Sequence, residues 1–200
     1  MRETNRGLRR HCRCWLVLAS VMAPLMGPLA ATPPVVAQFA HSDIDFGLDG
    51  EKLITNQRVY DSYFPTFGIS KQITSNPGFA AESDGLGTIG PRREVVYDVL
   101  DRMFLWDGSQ FVSPGDEVGI RIDNNPRGSH STYIDATSGV QRGSTDPLAN
   151  RIGASWPNGE FHSHVTFFLE AGDDDPPIGA YGVKIAISTD SEDFVDSDPV

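Results

Sequence analysis

Two histidines one residue apart, His162 and His164 in Glu160-Phe-His-Ser-His-Val-Thr-Phe-Phe-Leu-Glu170, are the residues of this chain best suited to chemistry. Side chains alternate along an extended strand. Both imidazoles therefore fall on one face, about 6.5–7 Å apart at Cα, close enough for their ring nitrogens to reach one ion. A second pair at the same spacing, His41 and Asp43, lies in Gln38–Phe46. Four nitrogen and oxygen donors without sulfur suit zinc, with manganese and copper the other ions such donors accept. The expected metal ligands are thus His41, Asp43, His162 and His164, with Asp45 and Glu160 as reserve carboxylates on the same faces. The plain alternative is that these are solvated polar residues on the outer faces of two strands.

The elements that must position these residues read as strands. Phe161, Val165, Phe167 and Leu169 form an oily row opposite His162, His164, Thr166 and Phe168, with Ser163 its only gap. Ile44 and Phe46 do the same opposite Asp43 and Asp45, and Asp49-Gly50 predicts a turn into a return strand over 52–55. Between Val59 and Ile73, Pro65 and Gly68 interrupt the apolar residues, so short strands or irregular structure are expected. The glycine-rich 76–91 reads as a long loop. The segment 93–105 fits either period, but the Asp107-Gly108 turn that follows it favours a strand and a hairpin. Val118–Ile122 alternates as a strand. The polar 123–158 reads as mostly loop, with one short strand near 132–134. Tyr181, Val183, Ile185 and Ile187 alternate inward after Gly179, and a Gly-x-Tyr-x-Val start to a late strand is what a tyrosine corner looks like. The expected fold is all-β, an antiparallel immunoglobulin-like β-sandwich with long loops.

Arg6, Arg9, Arg10 and Arg13 precede an apolar run from Trp15 to about Ala31, the layout of a secretory signal peptide. Pro24, Gly27 and Pro28 break that run, which argues against a retained transmembrane span. Cleavage after Ala37 leaves residues 38–200, 163 of the 200, as a single sandwich domain whose closing strand is short or missing after Ser197-Asp198-Pro199-Val200. Both cysteines, Cys12 and Cys14, fall in the leader, so the mature chain is expected to have neither disulfides nor thiolate ligands. The leader holds five of the 16 basic and one of the 27 acidic residues, leaving 11 and 26 and a net charge of −15. That charge argues against nucleic acid as a partner and is compatible with capturing cations. No nucleophile elbow, phosphate-cradling glycine loop or HExxH motif is present.

His41-Ser-Asp43, Trp106-Asp-Gly108, Phe161-His-Ser-His164, Gly179-Ala-Tyr181 and Ser197-Asp198-Pro199 together carry a resemblance. The chain resembles secreted bacterial proteins of cyanobacteria and planctomycetes, many with a PEP-CTERM sorting tail and some repressed by the zinc regulator. The His-x-His strand followed by a Gly-x-Tyr strand is also similar to surface-anchored repeats encoded beside bacterial zinc and manganese uptake systems. The resemblance implies a sandwich at the cell surface, connected with metal supply and a metal-uptake transporter, and no established activity. It departs from those proteins where their sorting tail would stand.

The function expected is a secreted, periplasmic or cell-surface protein that binds a divalent ion, zinc foremost, and buffers it or hands it on. The alternative is a structural or carbohydrate-binding surface domain, with Trp106, Trp156 and Tyr133 as stacking surfaces. A remoter one follows from cleavage after Ala40. His41 would then be the N-terminus and, with His162 or His164, would form the copper brace of an oxidative enzyme.

Overall fold

Among the described residues, alternating and doubly buried apolar runs fold as strands. The computed structural model describes residues 43–127 and 130–200. The expected leader over 1–37 and His41 lie outside the described residues. Among the described residues there is no helix, and none long and apolar enough to cross a membrane.

Four sheets are present. The first orders β11 (Phe161–Ser163), β4 (Phe79–Ala81), β1 (Ile44–Asp49) and β2 (Lys52–Thr55). A second places β5 (Glu94–Val99) between β10 (Arg151–Ala154) and β14 (Ile185–Thr189), while a third runs β3 (Ile73–Thr74), β12 (Thr166–Ala171), β8 (Val118–Asp123) and β9 (Ser131–Asp135). The fourth is β13 (Ala180–Gly182), β6 (Phe104–Trp106) and β7 (Phe111–Val112). Within the sheets every pairing is antiparallel except that of β1 with β4.

One core joins strands from the first three sheets. Phe46, Phe79, Phe161, Leu53, Ile89, Tyr97, Ile134, Ile152 and Ile187 are all buried in it, and the rings of Phe46 and Phe161 meet edge to face at 5.6 Å. The C-terminal segment knits two sheets together. Val195 exchanges backbone hydrogen bonds with Glu51 and Leu53 beside β2, while Ser197 and Val200 bond to Ile187 and Ile185 of β14. The chain thus closes on a bonded, irregular segment rather than a regular strand.

Several local expectations hold. Gly50 takes the left-handed φ of +63° in the β1–β2 turn, as the Asp-Gly pair predicts. The ambiguous 93–105 segment is extended but holds two strands, β5 and the start of β6, parted over 100–103 and in different sheets; Val95–Val99 is buried on both faces, which explains why the period was unreadable. The Asp107-Gly108 hairpin joins β6 to β7. There the Asp107 carboxylate accepts the backbone N–H groups of Ser109 and Gln110, which hold its carboxyl below the usual range.

Others are corrected. The stretch 160–170 is not one strand: it breaks at His164-Val165, β11 pairing with β4 and β12 with β8 and β3. Val165 still points into the core, but Thr166, expected on the open face, is buried. The run after Gly179 splits likewise into β13 and β14, in different sheets. The presumed loop 76–91 contains β4, and the polar 123–158 contains β10 as well as β9. Both missed strands are short and flanked by turn residues, so neither shows a readable period.

Candidate functional site

The residues at the start of β1 and the end of β11 are brought together by β4, which lies between those two strands. Ile44 aligns with Phe79 on one side of β4 and His162 with Ala80 on the other. Asp43 immediately precedes β1, His162 is the middle residue of β11, and His164 lies one residue past its end. One ligand atom from each of Asp43, His162 and His164 lies within 4.8 Å of the other two.

The remaining polar atom of each side chain is tied to the segment 75–82 around β4. The Gly78 N–H donates to Asp43 Oδ1 at 3.0 Å. His164 Nδ1 lies 2.7 Å from the backbone carbonyl of Ser75, and since a carbonyl only accepts, that nitrogen carries the proton. His162 Nδ1 is 3.1 Å from Glu82 Oε1. Asp43 Oδ2 and the two Nε2 atoms are left facing inward. His162 Nε2 stands 3.2 Å from His164 Nε2 and 3.2 Å from Asp43 Oδ2. Donors bound to one zinc ion at about 2.0–2.1 Å in a tetrahedron stand about 3.3–3.4 Å apart, close to both of these separations, which are also hydrogen-bonding distances.

Sterics and charge fit the same use. A Cβ on Gly78 would lie 2.5 Å from His164 Cε1 and 2.7 Å from Asp43 Oδ1, so only glycine lets β4 approach both ligands this closely. Burial first, and then the carboxylates of Asp43, Glu82 and Asp84, push the Asp45 carboxyl above its ordinary value, against a lowering by His162. The surroundings of the cluster are therefore strongly negative. The turn after β11 is fixed by Asn125, whose amide nitrogen donates to the Ile152 carbonyl at 2.6 Å, Ser163 Oγ at 2.9 Å and the His164 carbonyl at 3.1 Å.

Of the expected ligands, the fold brings together Asp43, His162 and His164. The reserve carboxylates stand elsewhere. Asp45 accepts from Asn56 at 2.8 Å. Glu160 faces Ser83 and Asn158, whose donations hold its carboxyl below the ordinary value. Glu82, Ser75, Gly78 and Asn125 were not singled out from sequence: Gly78, Glu82 and Asn125 lie in segments read as loop, and Ser75 just before one of them. The aromatic alternative is less focused. Trp106 packs edge-on against Phe111 at 5.1 Å, pinning the hairpin, and the Tyr133 ring lies over Gly119, while Trp156 is half exposed in the β10–β11 turn.

Two concavities lie elsewhere, and neither is lined by the three clustered residues. One, of about 1050 Å³, has Ile120, Phe167 and Leu169 along its floor and Tyr60, Tyr63 and Ile178 among its walls. Its lining is largely apolar. The smaller, of about 390 Å³, surrounds an Asp98 already engaged by Arg142 and the Gly143 N–H. No protein-family model, curated protein or solved structure matches this chain.

Proposed function

We propose that this protein binds a divalent metal ion, zinc foremost, through Asp43, His162 and His164, and that it buffers the ion or hands it on. The observation that carries the reading is the outward tethering of all three side chains, which leaves His162 Nε2 3.2 Å from both His164 Nε2 and Asp43 Oδ2. A cation placed among these three atoms would be held by all of them. Nitrogen and oxygen donors without thiolate suit zinc, with manganese and copper as competitors.

In the same reading the ion is taken up outside the cell or at its surface. The basic and then apolar N-terminal stretch supports export, and the resemblance to zinc-regulated surface proteins supports a link to metal uptake. The fold presenting the site is read as an immunoglobulin-like sandwich. The Tyr181 hydroxyl, which donates to the Pro177 carbonyl four residues upstream, supports that as the contact of a tyrosine corner.

The test is zinc titration of the purified chain beside the double variant His162→Ala, His164→Ala. The parent is expected to bind one zinc ion per chain, and the double variant to lose that binding. Equal affinity in the two proteins would refute the site.

A further inference from the structure

We propose that Glu82 is a positioning residue of this metal site, one that fixes the His162 ring and completes the charge around the ion; this rests on the metal reading above. The three outward tethers are not equivalent. Those on Asp43 and His164 come from backbone groups, the Gly78 N–H and the Ser75 carbonyl, whereas the tether on His162 comes from the Glu82 side chain. Among the three, His162 is thus the one tethered by another residue's side chain.

Two effects follow from a carboxylate at that place. It accepts a hydrogen bond from the Nδ1–H of His162, which keeps Nε2 bare toward the ion and strengthens Nε2 as a donor, the role carboxylates play behind ligating histidines. It also changes the charge count. Asp43 with two neutral imidazoles carries a single negative charge; Glu82 supplies the second, which balances a divalent cation. The location of Glu82 explains why it can do this without holding up the core. It sits immediately after β4, partly exposed, opposite the exposed His162 ring, while Phe79 and Ala81 of the same strand face inward.

Glu82→Gln and Glu82→Ala separate the two effects. Glutamine keeps an acceptor oxygen and removes the charge, whereas alanine removes both. With the full chain loaded with cobalt(II), each ligating imidazole N–H gives a paramagnetically shifted, exchangeable proton resonance. The parent is expected to show two, from His162 and His164. In Glu82→Ala the His162 resonance is lost to fast exchange and zinc affinity falls about 10–100-fold, the range found when such an outer partner is removed. Glu82→Gln keeps the resonance, with a smaller loss of affinity. A purely structural role would leave the resonance in place, and unchanged circular dichroism shows that the variants fold. Two resonances and parental affinity in Glu82→Ala would overturn the role of Glu82 and leave the site standing. No histidine resonance in the parent would overturn the metal site, and with it the role of Glu82.

Discussion

Gly78 shows how much a single absent atom contributes to this site. Its backbone donates to Asp43 Oδ1, and its Cα passes so close to the His164 ring that a methyl group would overlap both ligands. The His164 ring cannot simply turn away, because its Nδ1 is held by the Ser75 carbonyl. Gly78→Ala should therefore displace Asp43 or His164 from the converging arrangement and weaken zinc binding about 10-fold or more, as losing a well-placed ligand does. Calorimetric titration checks this; parental affinity would show that the close approach is unimportant. At this scale the sequence was partly readable. His-x-His and His-x-Asp announce themselves because side-chain direction follows spacing, but a glycine in a turn-rich stretch gives no sign of which neighbour needs its missing side chain.

The elements explain why spacing alone was insufficient. An unbroken strand over 160–170 would put both imidazoles on one face about 6.5–7 Å apart at Cα, within reach of one ion but without saying what else faces them. The chain instead leaves the first sheet after Ser163 and joins β8 and β3, and the break lets the rings tilt to a centroid separation of 5.3 Å with their Nε2 atoms facing. Asn125 holds that break through three acceptors, two of them on residues 163 and 164. Asn125→Ala should cost about 1–3 kcal/mol, the usual penalty for leaving such groups without their donor, and weaken metal binding in the same variant. Urea denaturation and zinc titration measure the two effects; a loss of stability with full affinity would show that the break does not position His164. β4 was the least legible element of all. Three buried residues between Gly78 and Glu82 carry no period, yet every outward tether of the site comes from the segment around them.

On the scale of the whole molecule, the strand-rich class was legible because buried Val, Ile and Phe recur between turn signals. The pairing of sheets was not, since nothing local says that β11 lies beside β4 while β12 lies beside β8. That long-range pairing is what brings residue 43 to residues 162 and 164, and the core secures it: Phe46 of β1 and Phe161 of β11 pack edge to face. The overall charge of −11 suits a protein that attracts cations but selects no position for them. In the proposed site, selection would rest on three side chains tethered by the segment around one short strand. Diffraction from zinc-loaded crystals, recorded on both sides of the zinc absorption edge, tests this most directly. The account predicts an anomalous peak within bonding distance of His162 Nε2, His164 Nε2 and an Asp43 oxygen. A saturated crystal with no peak there, or with its zinc bound elsewhere on the chain, would contradict it.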